Sequence, residues 1–326
     1  MLAAVIYALL SEYATNSTIG QCLFELAVFP VYSVGMSNTA AVKTVGIAGL
    51  GIIGSRVAAN LRAKGFDVRV WNRTPKKKEP GFTASLEHLA RNCEVVQIFV
   101  RDAKALREVV AAMSPALTKG RTVINSATVS LQATKDVAKL VKKTGAEFLD
   151  VPFTGSRDAA AAGQLTYYAA GPVKALERMR PVLEASAKTI LNTGEVGTAT
   201  VLKIATNMVS AVTVQALAEA LGVVESAGVP LEMFEKAMEH NANCSGLVRM
   251  KLPSMIRRDF TPHFSLKNML KDARYALALA GQGNMEVPVL TAAAACMAGL
   301  EAAGRGDEDY SVLAEHYIGH SGKEKD

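Results

Sequence analysis

The chain has 326 residues, half of them apolar, with 36 basic and 30 acidic side chains and a net charge of +6. Such a length and apolar content fit two domains with separate cores, and the diffuse positive charge suits small anionic ligands while excluding a nucleic-acid partner. Four scattered cysteines (Cys22, Cys93, Cys244, Cys296) and five dispersed histidines exclude a disulfide framework and a metal site, and they fit a reducing, cytoplasmic compartment.

Residues 1–35 carry no Lys or Arg, and their only charges are Glu12 and Glu25. The apolar run Leu2–Leu10 lacks the positive residues that precede a secretory signal core. Cys22–Met36 is broken by Glu25 and Pro30 and is too short to cross a bilayer, so no membrane association is expected. Met36-Ser37-Asn38 opens a polar lead into the first strand. We read Met36 as the natural start and residues 1–43 as an extension outside the fold.

The organising stretch follows. Thr44–Ala48 is a short apolar, β-prone run, Gly49-Leu50-Gly51-Ile52-Ile53-Gly54 follows at once, and Ser55–Lys64 has a helical pattern. Asp67–Trp71 reads as a second strand, which makes a βαβ unit with G-x-G-x-x-G at the strand-to-helix turn. Gly49 permits the tight turn, Gly51 lets a pyrophosphate approach bare backbone, and Gly54 allows close packing of helix on strand. The turn as a whole, Leu50, Ile52 and Ile53 included, is therefore a dinucleotide site. At the end of the second strand an NAD site calls for an acidic residue, but the chain has Asn72-Arg73-Thr74 and then Lys76-Lys77-Lys78. A carboxylate repels a 2′-phosphate and a guanidinium grips it with two charge-assisted bonds, so the expected cofactor is NADP(H), held by Arg73 between Asn72 and Thr74.

The α/β alternation continues with a helix over Ser85–Arg91, a strand over Glu94–Val100, and a helix over Ala103–Ala112. A strand over Thr122–Asn125, a helix over Leu131–Lys143 and a strand over Phe148–Val151 come next. Leu165–Ala170, Val173–Leu183 and Thr189–Leu191 add strand, helix and strand. This pattern predicts a doubly wound, mostly parallel Rossmann-type sheet over 44–193 with ligands at the C-terminal strand ends. Val100, Arg101 and Thr128, which follow such ends, should face the cofactor cleft.

After Gly197 strand signals stop. Thr198–Ala227 predicts one helix of about 45 Å, apolar on nearly every side and hence buried between domains or subunits. Helices over Leu231–His240, Leu266–Ala280, Val289–Ala303 and Ser311–Tyr317 complete an all-α domain over 194–326. Ser265 is the expected N-cap of the helix at Leu266, with Phe264 stapled onto Met269. On the long helix, Lys203 and Asn207 lie four residues apart on one face. An ammonium among Val201, Leu202, Ile204 and Ala205 costs several kcal/mol to bury unless it is paired. Physics alone leaves two readings of equal weight, a lysine snorkelling to the surface and a catalytic group.

From Thr44 almost to the C-terminus the chain resembles the β-hydroxyacid dehydrogenase family. Four motifs carry the likeness in order: the glycine turn at Gly49, Asp150-Val151-Pro152-Phe153-Thr154-Gly155-Ser156, Gly197–Asn207, and Lys271-Asp272. The second departs from the family's D-x-P-x-S-G-G, with Thr154 for the serine and Ser156 for the second glycine. Of the family's N-N pair only Asn207 is kept, after Thr206. The resemblance implies that Lys203 is the proton donor. It also implies that Thr128, Thr154, Gly155, Asn207, Lys271 and Asp272 contact substrate, and that Phe264 and Lys271 add cofactor contacts. Within the family the chain looks most like the NADPH-preferring glyoxylate and succinic semialdehyde reductases, on Phe153–Ser156, Phe264 with Leu266, and the ending Gly306–Ser311. The implied partners are a small carboxylate-bearing aldehyde or hydroxy acid and further copies of the chain, as a homodimer or homotetramer. Alternatives are a 3-hydroxyisobutyrate-type dehydrogenase, an imine reductase, in which that lysine is commonly absent, and a non-enzymatic NADP-binding module.

Overall fold

The computed structural model describes residues 42–319; the reading of Met36 as the start, and nearly all of the 1–43 extension, lie outside these residues. The first strand, β1 (Thr44–Ala48), pairs in parallel with β2 (Asp67–Trp71) on one side and β3 (Val95–Ile98) on the other. β4 (Thr122–Asn125) and β5 (Glu147–Asp150) extend the parallel sheet, giving the order β2-β1-β3-β4-β5. Beyond β5 the expectation of parallel strands is only half met. β7 (Leu165–Ala170) runs antiparallel to β5 and to the two-residue β6 (Phe153–Thr154), and β8 (Ala187–Gly194) returns parallel to β7. Between β5 and β7 the chain turns back through β6 and a five-residue helix instead of crossing over to a parallel strand.

Helices cover both faces. α1 (Ile52–Ala63), α5 (Arg157–Ala161) and α6 (Val173–Glu184) place Val57, Leu61, Ala160, Met179 and Val182 against Val45, Ile47, Val70 and Leu149. α2 (Leu86–Asn92), α3 (Ala103–Met113) and α4 (Leu131–Lys143) put Leu89, Leu106, Val110, Val137 and Val141 against Ala48, Val96, Ile98 and Val123. Ser85, Asp102, Ser130 and Ser156 cap α2 to α5 through side-chain oxygens, each satisfying a first-turn N–H.

α7 (Thr198–Ser226) is the core of the helical part. Ile204, Ala211, Val214, Ala218 and Leu221 meet α9 (Gly246–Ile256), α10 (Leu266–Gln282), α11 (Pro288–Leu300) and the C-terminal 3₁₀ turn Tyr310–His316. α8 (Leu231–Glu239) packs at the rim with no fully buried residue. α7 is long and apolar enough to cross a membrane by composition, but its buried stripe is the centre of this bundle. It is less buried than its composition predicts. Leu202, Val209 and Val223 on the opposite stripe are 45%, 66% and 68% exposed.

Two expectations need correction. α9 was not foreseen, because Pro253 interrupts its pattern; the proline is tolerated well inside the helix. Ser265 does hold the N-cap position of α10, but its side chain caps nothing and its hydroxyl is buried without a partner. Backbone bonds fix the helix start instead, with Leu266 N–H donating to Glu308 O and Lys267 N–H to Gly306 O. Phe264 does pack on the cluster containing Met269.

Candidate active site

The glycine turn is shaped by what a Cβ would meet. At Gly49 (φ 106°) it would lie 2.1 Å from Phe99 O, and at Gly54 it would lie 2.0 Å from Gly49 O. Any other residue at either position forces the backbone apart. At Gly51 a Cβ meets nothing within 4 Å, so that glycine leaves a face open to a ligand. Gly51 is also the N-cap of α1 and has no capping side chain. The first N–H groups of the helix, from Ile52, Ile53 and Gly54, are thus left for an outside acceptor at the positive end of the helix dipole. An open glycine and an uncapped helix start fit a dinucleotide pyrophosphate.

The end of β2 is tied to this turn. Asn72 Oδ1 accepts from Leu50 N–H at 2.8 Å, Asn72 Nδ2 donates to Thr74 O at 2.8 Å, and Gly49 N–H donates to Trp71 O at 2.8 Å. Asn72 is therefore a strut between the two halves of the nucleotide site. Lys76 Nζ donates to Leu50 O at 2.8 Å, a bridge that sequence reasoning left among solvated lysines. Arg73 is exposed and, among the described residues, forms no ion pair. Val100 is half-buried beside β3, and Arg101 is an exposed cation 3.4 Å from Asp102.

The helical part contributes a continuous polar chain. Lys203 Nζ donates to Asn207 Oδ1 at 2.8 Å, and Asn207 Nδ2 donates to Asp272 Oδ2 at 2.7 Å. Asp272 Oδ1 accepts from Lys271 Nζ, which also donates to Thr128 O at 2.9 Å and lies 4.8 Å from the centre of the Tyr275 ring. Five of the residues singled out in the sequence, Lys203, Asn207, Asp272, Lys271 and Thr128, are thus joined from α7 through α10 to the loop after β4. Lys203 is only 9% exposed, which removes the snorkelling reading. Burial pushes its pKa down from 10.5 to about 8, the Asp272 carboxylate resists that shift, and the nearby Lys271 ammonium adds to it.

The remaining residues stand apart from this chain. Thr154 lies on β6 opposite Thr166, half-buried, and its hydroxyl has no hydrogen-bond partner among the described residues. Gly155 follows it, and Ser156 is used locally as the N-cap of α5, with Ala159 N–H on its Oγ at 3.2 Å. Phe264 packs edge-on against Tyr310, and its N–H donates to Asp309. Asp309 in turn forms a buried ion pair of 2.6 Å with Lys251.

Sequence reasoning left Asp150 as the head of a motif, with no role of its own. Its carboxylate accepts from Gly197 N–H at 3.2 Å, Thr200 N–H at 3.0 Å and the Thr200 hydroxyl at 2.9 Å. Burial pushes this carboxyl up, and the Thr200 hydroxyl and the two N–H groups pull the other way. The sequence carries no local signal for this, since the helix that Asp150 caps starts 47 residues later on Gly197, a residue with no side chain to cap with.

Residues 44–194 match the NAD binding domain of 6-phosphogluconate dehydrogenase, and residues 197–317 match the NAD-binding domain of NADP-dependent 3-hydroxyisobutyrate dehydrogenase. Glyoxylate/succinic semialdehyde reductase 1 of Arabidopsis thaliana is 30% identical over 83% of this chain and 97% of its own length. The chloroplastic reductase 2 of the same plant is 29% identical over 88% of this chain and 84% of its own. Cytokine-like nuclear factor N-PAC of Mus musculus is 28% identical, but the chain spans only 53% of that protein's length. Among solved structures, 3-hydroxyisobutyrate dehydrogenase of Mycobacterium tuberculosis with L-serine superposes with a TM-score of 0.77 at 28% identity. That match covers 84% of this chain and 99% of the other. These two consecutive family matches and the 30% identical reductase, on a Rossmann sheet followed by a helical bundle, place this chain in the 3-hydroxyisobutyrate dehydrogenase-like family of nicotinamide-dependent oxidoreductases acting on CH–OH groups.

Proposed function

We propose that the protein is an NADPH-dependent reductase of small aldehyde acids, with glyoxylate and succinic semialdehyde as the leading substrates and a hydroxy acid as product. The observation that carries this reading is the buried ammonium of Lys203, hydrogen-bonded to Asn207 and linked through it to Asp272.

The chemistry that bound NADPH supplies is a hydride, delivered to the carbonyl carbon. Lys203 Nζ hydrogen-bonds the carbonyl oxygen, stabilises the negative charge that develops on it, and gives it a proton. A pKa lowered by burial suits that role, since proton transfer is most efficient when the donor titrates near the working pH. Asn207 orients the ammonium: its Nδ2 is committed to Asp272, so its Oδ1 must face Lys203. The free hydroxyl of Thr154 and the N–H of Gly155 receive the substrate carboxylate, with Thr128 as a further contact. Arg73 takes the 2′-phosphate, and Phe264 and Lys271 border the cofactor.

We take 44–193 as the cofactor domain and 194–326 as the substrate and dimerisation domain. The exposed stripe of Leu202, Val209 and Val223 along α7 supports a homodimer or homotetramer. Dispersed cysteines support a cytoplasmic enzyme. The names of the two plant reductases favour aldehyde-acid reduction over 3-hydroxyisobutyrate oxidation, and Lys203 stands against imine reduction and against a non-enzymatic module. The test is NADPH consumption against glyoxylate, succinic semialdehyde and cyclic imines, beside NADP⁺ reduction by 3-hydroxyisobutyrate. Turnover of imines alone, or of nothing, overturns the proposal.

A further inference from the structure

We infer that Asp150 is a positioning residue for catalysis, a clamp that sets Lys203 against the substrate-binding segment. This rests on the reading of Lys203 as the proton donor.

α7 begins on a glycine and so has no capping side chain of its own. The cap comes from the cofactor sheet instead. Asp150, the last residue of β5, receives the N–H groups of Gly197 and Thr200 and the Thr200 hydroxyl. Thr134 on α4 completes the joint, 2.9 Å from Thr200 Oγ1. Asp150 and Thr200 are 0% and 2% exposed, so water does not compete for these bonds. A carboxylate at the N-terminus of a helix also meets the positive end of its dipole.

The position of the joint gives it a functional consequence. Thr200, Lys203 and Asn207 follow one another at three and four residues and share one face of α7. Thr200 therefore fixes the height and rotation of that face one turn before the ammonium. In the other direction, Asp150 lies four residues before Thr154, the free hydroxyl at the end of the same segment. One carboxylate thus spaces the group that binds the substrate carboxylate from the group that protonates the carbonyl oxygen. A misplacement of about 1 Å between such groups can cost about a hundredfold in rate.

The test compares Asp150→Asn, Thr200→Val, Thr200→Ser and Lys203→Met. The readouts are NADPH affinity by fluorescence, kcat and KM for glyoxylate, and the primary isotope effect with deuterated NADPH. Asp150→Asn should keep NADPH affinity within about twofold while kcat falls roughly ten- to a hundredfold and the isotope effect rises. Thr200→Val should move the same way by less, and Thr200→Ser, which keeps the hydroxyl, should restore kcat. If Asp150→Asn does not fold, the two Thr200 variants decide. The clamp is refuted if kcat stays within about threefold of the parent, or if kcat and NADPH affinity fall together with an unchanged isotope effect. Turnover retained in Lys203→Met sinks the underlying reading instead. Turnover lost there but kept in Asp150→Asn sinks only the clamp.

Discussion

Replacing Lys203 by Met sets function and stability against each other. The side chain is 9% exposed, and its pKa falls from 10.5 to about 8 on folding. At 1.36 kcal/mol per pH unit, holding the ammonium in this site costs roughly 3 kcal/mol. Methionine removes that cost and keeps a chain of similar length, but it leaves Asn207 Oδ1 without its donor, a loss of about 1–2 kcal/mol. The variant should therefore be more stable than the parent at pH 7 by about 1–2 kcal/mol, a rise in Tm of roughly 1.5–3 °C for a protein of this size. The sign with pH follows from the depressed pKa. Below pH 8 the folded protein carries the full cost. Between pH 8 and 10.5 it sheds its proton before the unfolded chain does, so the parent gains on the variant as pH rises. Turnover should move oppositely, down by roughly two to four orders of magnitude, with NADPH affinity kept. Thermal melts at pH 7 and 9.5, NADPH titration and glyoxylate reduction measure all three. Retained turnover refutes Lys203 as the acid, and a lower Tm at pH 7 refutes the account of its burial.

In the parent enzyme the reductive kcat should decline as pH rises through about 8, where Lys203 loses its proton; a profile flat to pH 10 would contradict this. Arg73→Ala should weaken NADPH binding about ten- to a hundredfold and leave NADH nearly untouched, and equal losses for both cofactors would remove Arg73 from the 2′-phosphate. Thr154→Val keeps the shape and deletes the free hydroxyl, so it should raise KM for glyoxylate; an unchanged KM would free Thr154 of the substrate carboxylate. Gly51→Ala and Gly54→Ala separate binding from folding. The first has open space for its methyl and should fold yet bind NADPH poorly, whereas the second drives a methyl to within 2.0 Å of Gly49 O and should lower Tm. Equal Tm values for the two would refute that assignment.

The glycine turn, the strands around it and the long α7 were legible in the sequence because each is decided within a few residues. Gly49, Gly51 and Gly54 mark a strand-to-helix turn wherever they stand, and apolar runs of five and thirty residues declare a strand and a helix by length. Lys203 was ambiguous locally, and the tertiary structure decided that it is buried. The sequence shows an ammonium among apolar neighbours, but only packing against α10 leaves it buried and brings Asp272, 65 residues beyond Asn207, to the far end of its hydrogen-bond chain. The same holds for Asp150, whose capping of a helix that starts 47 residues later has no local trace. Ser265 shows the converse, since its sequence context is that of an N-cap, yet strand-like pairing with the segment around Asp309 supplies the helix start and leaves the hydroxyl idle. Short-range geometry is written in residue order, because backbone sterics and hydrogen-bonding reach extend only a few residues. Charge pairing and burial depend on which distant segments the folded core brings together.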